Sequence, residues 1–109
     1  MMLTGYRIMW MIVMFDLPVL TKAQRKAANG FRLSLLDMGF VKCQLSVYAK
    51  VCSGKEHISS MVRKVRGALP PHGSVDILSI TDTQFQKIIS FQERRNVGRK
   101  NQPRQLELF

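Results

Sequence analysis

Ile8-Met9-Trp10-Met11-Ile12-Val13-Met14-Phe15 is an unbroken apolar run held between Arg7 and Asp16. A strand with one wet face alternates. A run apolar on both sides belongs to a strand covered above and below, at the centre of a sheet. Crossing a bilayer takes about 20 residues, so the run does not span a membrane. With Arg7 before it, Asp16 after it and no small-residue cleavage site, it does not read as a signal peptide either. The chain reads as cytoplasmic, with no membrane partner. Asp16-Leu17-Pro18 then breaks the run, because Pro18 has no ladder donor.

Outward from this strand the pattern changes period. Thr21-Lys22-Ala23-Gln24 matches a capping box. The helix it opens carries Ala23, Ala27, Phe31, Leu35 and Met38 on one stripe and Lys22, Arg25, Lys26, Asn29 and Arg32 on another. Gly30 in its middle is unfavourable by about 1 kcal/mol, and Gly39 is the expected stop. Phe40 to Val51 alternates: Val41, Cys43, Leu45, Val47, Ala49 and Val51 face one way, and Phe40, Lys42, Gln44, Ser46, Tyr48 and Lys50 the other. That is the period of a sheet with one face in the core, as one bent strand or a tight hairpin. Ser53-Gly54-Lys55-Glu56 matches a second capping box, followed by an apolar stripe of Ile58, Met61, Val62, Val65 and Leu69 that Pro70-Pro71 ends. Ser74 to Thr81 reads as a strand, and Phe85 to Phe91 as a last short one.

Strand, helix, long strand or hairpin, helix, strand and extra strand make an α+β chain. The expected fold is a ferredoxin-like βαββαβ sandwich with an extra C-terminal strand. Both helices lie on one face of the sheet, yet the central run is apolar on both. A second copy, sheet against sheet, is the simplest cover, so a homodimer is expected. Residues 1–92 read as the domain and 93–109 as a basic tail, with Arg94, Arg95, Arg99, Lys100 and Arg104. The closing Leu106-Glu107-Leu108-Phe109 is either a frayed end or a segment that docks on a partner.

The 109 residues suffice for one domain, and 46% hydrophobic content excludes wholesale disorder. Against 7 Asp+Glu stand 17 Lys+Arg, a net charge of +10 with a pI near 10.3. Such a domain attracts polyanions, since neutralised phosphates release their counterions; nucleic acid is favoured over an anionic membrane or a merely solvated surface. Cys43 and Cys52 form neither a disulfide framework nor, with His57 and His72, a zinc spacing. Free thiols suit a reducing compartment.

Met14-Phe15-Asp16-Leu17-Pro18, the Thr-capped basic helix, Gly39-Phe40, Gln44-Leu45-Ser46-Val47-Tyr48, Gly73 to Asp82, Gln84-Phe85 and the apolar end together resemble the CRISPR-associated Cas-two family, nearest its type II forms. The resemblance implies a ferredoxin-like homodimer that bridges Cas-one integrase dimers while short foreign DNA is inserted into a CRISPR array. Some members are described as metal-dependent nucleases on RNA or DNA. This chain departs from many relatives at Ala27-Ala28-Asn29-Gly30, where they carry bulky or basic residues, so those DNA contacts are not carried over.

Asp16 is the catalytic and metal-ligating candidate. Thr21 already caps the helix, so capping does not account for Asp16, although an Asp before Leu-Pro also organises a turn. The resemblance implies that two Asp16 side chains share Mg²⁺ at the dimer two-fold. Asp82 is the acid a folded chain could still bring near. Lys22, Arg25, Lys26, Lys42, Lys50, Arg94 and Arg95 are the expected phosphate contacts, which position a duplex without reading its bases. Tyr48, on the face of Lys42 and Lys50, is a candidate for base stacking or a dimer interface. Leu106, Leu108 and Phe109 are the expected contacts to the integrase. The preferred reading is a non-catalytic dimeric adaptor on double-stranded DNA. A Mg²⁺-dependent endonuclease on single-stranded RNA or duplex DNA is the alternative. A general RNA-binding module is disfavoured, because Met9, Met11 and Val13 stand where an aromatic ladder would be.

Overall fold

In the computed structural model, which describes residues 8–92 and the backbone of residues 95 and 96, the apolar run forms β1 (Met9–Asp16) with a strand paired on each side. The chain continues through α1 (Lys22–Asp37), β2 (Val41–Gln44), β3 (Val47–Cys52), α2 (Lys55–Gly67), β4 (Ser74–Thr81), α3 (Asp82–Gln86), β5 (Phe91–Gln92) and β6 (Arg95–Asn96). The main sheet is antiparallel in the order β2-β3-β1-β4, with the long apolar strand inside it, as a ferredoxin-like arrangement requires.

Local chemistry sets the element ends. The first capping box forms: Gln24 N donates to Thr21 Oγ1, and Gln24 Oε1 accepts from the Thr21 and Leu20 amides. At the other end Gly39 sits at φ +94, its N–H bonded to Leu36 O while Phe40 N–H reaches Leu35 O. Those two bonds are a Schellman stop, which needs a residue without a Cβ penalty. The twelve-residue alternation resolves as a hairpin. It breaks at Leu45-Ser46, with Ser46 at φ 135, and the register slips between Lys42 and Gln44.

Register decides which faces are buried. Met11 and Val13 pair with Lys50 and Tyr48, and this side of the sheet meets Phe31 and Leu35 of α1 and Met61 and Val65 of α2. Phe40 and Cys52 complete that core. Within residues 40–51 it is therefore the set containing Phe40 and Tyr48 that turns toward the helices. The helix-covered gap is filled by the bulky Phe40 and Tyr48, whereas Val47, Ala49 and Val51 pair with Met14, Ile12 and Trp10 on the other face. Of the set that alternates with Tyr48 only Phe40 and Tyr48 itself are buried, Lys42 and Gln44 being exposed, while Ala49 of the other set is buried as well.

Two further expectations are corrected. The Ser53 capping box does not form; Gly54 is the N-cap, and His57 Nδ1 accepts the Ser53 N–H at 3.1 Å, the bond a capping box would give to the Glu56 carboxylate. Phe85 lies in a helix rather than a strand. Thr81-Asp82-Thr83-Gln84 is a capping box with both reciprocal bonds present, and it turns the chain into α3 as soon as β4 ends. Strand structure resumes only at β5, which pairs with β6 in a separate two-stranded sheet. On the face away from α1 and α2, Phe85 stacks on Trp10 with ring centroids 4.0 Å apart, and Trp10 Nε1 donates to Asp82 Oδ1 at 2.8 Å.

Candidate nucleic-acid interface

Asp16 ends β1, exposed, paired with Ser74 at the start of β4. Alternation along β1 turns it to the face away from the helices, since Phe15 packs edge-on against Phe31 in the core. The turn after it is held by close approach. Gly73, at φ +95, lies so near that a Cβ there would sit 2.7 Å from Asp16 O and 2.8 Å from Leu17 Cδ2. Asp82 is at the opposite end of β1, where its N–H meets Ile8 O, so it does not join Asp16. The acid that does share its face is Asp76, paired with Met14 and thus diagonal to Asp16 across the β1–β4 ladder. Such diagonal neighbours lie roughly 7–8 Å apart. Among the described residues, no group of three or more His, Cys, Asp or Glu side chains could hold a metal ion.

Lys22, Arg25 and Lys26 are exposed on the first turns of α1, which carry no acid. Cations here oppose the helix dipole by about 0.3–1 kcal/mol each, and an approaching anion reverses the sign. Arg25 is partly committed: its Nη1 donates to Val19 O and Leu20 O, both at 3.2 Å, bracing the loop before the helix. Lys50 lies at the other end of α1, its ammonium over Gly39, so the lysines grouped from sequence separate by about the helix length, ~24 Å. Its charge sits beside the helix C-terminus, where a cation is favourable. Lys42 is exposed on edge strand β2. Arg94, Leu106, Leu108 and Phe109 lie outside the described residues, as does the side chain of Arg95.

Tyr48 is only 1% exposed and stacked at 5.7 Å on Phe15, so its ring is packed in the core and offers no open face for a base. Its hydroxyl is buried without a partner among the described residues. Cys52 is buried too, and burial pushes its thiol pKa up against a smaller opposing pull from Lys50. Sequence reasoning missed Asp76 and Gly73, because only strand register brings either to Asp16.

The model of the family described as CRISPR associated protein Cas2 matches residues 9–88. The chain belongs to the Cas2 family. Similar relatives, each named CRISPR-associated endoribonuclease Cas2, come from Paracidovorax avenae (51% identical over 99% of this chain and 100% of that one), Flavobacterium psychrophilum (39%, over 98% and 93%) and Parvibaculum lavamentivorans (40%, over 93% and 100%). Cas2 membership ties the chain to CRISPR defence, and the match runs through Asp16, the α1 cations and α3. No helix among the described residues is long and apolar enough to cross a membrane.

Proposed function

We propose that two copies of this chain, joined through the sheet faces that α1 and α2 leave open, act in the cytoplasm as an adaptor that holds duplex DNA between Cas1 integrase subunits. The observation that carries this reading is the run of cations on the first turns of α1 without a compensating acid. Intrinsically unfavourable there, it becomes favourable beside phosphates. The open face supports pairing: Val41, Val51 and Leu78 are each about half exposed on it, beside Ile12 and Ala49. Residues 1–92 act as the folding unit and 93–109 as a basic arm, in which Arg94 and Arg95 add phosphate contacts and Leu106, Leu108 and Phe109 dock on the integrase. The test is binding of a short duplex at several salt concentrations. The logarithm of the affinity should fall linearly with that of salt, and Lys22→Ala with Lys26→Ala should flatten the slope by about 0.9 for each phosphate no longer neutralised. An unchanged slope removes α1 from the interface. Failure to retain Cas1 on a pull-down, with duplex present, removes the bridging role.

A second reading is favoured by the Asp16–Asp76 diagonal and by the relatives' name, endoribonuclease. Oxygen ligands on one face suit Mg²⁺, which keeps several waters, and one chain supplies two carboxylates. Asp16, with Asp76 in support, would hold the ion at the two-fold; the ion supplies charge neutralisation at a phosphodiester and an activated water. Asp16→Asn should then abolish Mg²⁺-dependent cleavage of RNA or DNA while duplex binding persists. Equal cleavage by the variant sinks this reading.

A further inference from the structure

On the helix side of the sheet, behind Asp16, a cleft of about 210 Å³ opens between α1 and the β2–β3 turn, lined by Phe15, Ala28, Asn29, Arg32, Leu45, Ser46 and Tyr48. Three features set it apart from a surface dimple. The Tyr48 hydroxyl is buried with no partner among the described residues, and a buried polar group without one is costly enough that native proteins rarely leave it so. Ser46, at φ 135, is the one non-glycine residue held at positive φ among the described residues, a conformation that persists only when its surroundings enforce it. Arg32 Nη2 donates to Asn29 Oδ1 at 2.7 Å, which fixes the guanidinium at the cleft and leaves the Asn29 amide hydrogens as donors.

The residues around the cleft thus carry a guanidinium, an amide and a serine hydroxyl, with the orphaned Tyr48 phenol buried beneath a largely apolar lining and no carboxylate among them. This donor-rich, singly cationic set suits a tetrahedral oxyanion. Asn29 and Arg32 also continue the helix face of Lys22 and Lys26, at spacings of three and four residues, so a strand of phosphates following that face passes over the cleft. Asp16 points to the opposite side of the sheet and does not repel an anion here.

We propose that Asn29, Arg32, Ser46 and Tyr48 form a phosphate subsite that takes one backbone phosphate of the bound duplex. The inference rests on the duplex-binding reading above for its ligand, though not for its chemistry.

The test uses the full chain as wild type, Tyr48→Phe and Arg32→Gln. Tyr48→Phe removes only the hydroxyl, so it should fold and melt no lower than wild type in phosphate-free buffer. Duplex affinity should fall about two- to tenfold in Tyr48→Phe, and the salt slope should flatten by about 0.9 in Arg32→Gln. Inorganic phosphate alone is the second arm. It should shift the Asn29 side-chain and Ser46 amide NMR resonances saturably in wild type, and more weakly in Tyr48→Phe. Unchanged duplex affinity in Tyr48→Phe with an unchanged slope in Arg32→Gln overturns the subsite and leaves the adaptor standing. If wild type binds no duplex, the adaptor reading fails, and the phosphate arm alone decides: a saturable shift lost in Tyr48→Phe supports the subsite, and no saturable shift overturns it.

Discussion

Replacing Gly73 or Gly30 by alanine adds the same methyl group to the same chain and should move stability in opposite directions. Gly30 is in the middle of α1, exposed, and a Cβ there meets nothing within 4 Å. Only the helix-propensity difference acts, so Gly30→Ala should stabilise by about 0.5–1 kcal/mol. Gly73 is held at φ +95, and its added Cβ would lie 2.7 Å from Asp16 O and 3.0 Å from Leu17 Cα, both backbone atoms that no rotamer change can move. The left-handed backbone costs a residue with a Cβ roughly 1–2 kcal/mol, and relief of the overlap has to displace the Asp16–Leu17 turn. A total loss of about 2–4 kcal/mol follows, within the range of backbone-strain substitutions. At about 4–8 °C per kcal/mol for a domain of this size, Gly73→Ala should melt some ten or more degrees below wild type, and Gly30→Ala a few degrees above it. Urea and thermal unfolding followed by circular dichroism, at one fixed protein concentration because a dimer would add a mass-action term, provide the measurement. If Gly73→Ala unfolds within about 0.5 kcal/mol of wild type, the close approach that positions Asp16 is not a constraint, and the account of that turn is wrong.

Two more outcomes can be stated. Burial raises the Cys52 pKa, so the folded chain keeps a proton that the unfolded chain loses above the ordinary thiol value of 9.0. Its contribution to stability is intact below that pH and lost as pH rises further; Cys52→Ala should flatten the alkaline limb of a stability–pH curve, and identical limbs would refute this. Asp82→Ala deletes the acceptor of the Trp10 indole, which should cost about 1–2 kcal/mol and shift the emission of Trp10, the chain's single tryptophan; an unchanged spectrum would show that the bond does not hold the ring.

Much of the fold was legible because its strongest signals are local. Eight consecutive apolar residues read as the inner strand without knowledge of any partner, and Thr21 with Gln24 fixed the start of α1 because a capping box is closed by atoms three residues apart. Thr81 with Gln84 carries the same signal and marks α3 equally well, although the apolar spacing of Phe85, Ile89 and Phe91 also fits a strand. Residues 40–51 pose a different problem. Alternation reports that a strand has two unlike faces, and which face meets the helices depends on the register with β1, information that lies more than thirty residues away.

The same distinction governs the site. Charge is visible residue by residue, so the α1 cations could be named, but the ends of a sixteen-residue helix are not one place, and Lys50 falls at the far one. Asp16 could be named from the end of its strand, whereas its diagonal neighbour Asp76 required the β1–β4 register. Tyr48 shows the limit most clearly. Aromatic and on the lysine-bearing side of the alternation, it reads as a surface residue, yet it is buried, its hydroxyl has no partner among the described residues, and it lines a cleft beside α1. The sheet thereby separates two chemistries that the sequence runs together at Phe15 and Asp16. Consecutive residues of one strand must point to opposite faces, so the carboxylate is directed to the open face and the donor-rich cleft to the helix side, with one strand's thickness between them. An anion bound on the helix side would therefore lie across the sheet from the Asp16 carboxylate, and a cation bound beside Asp16 would lie across it from Arg32.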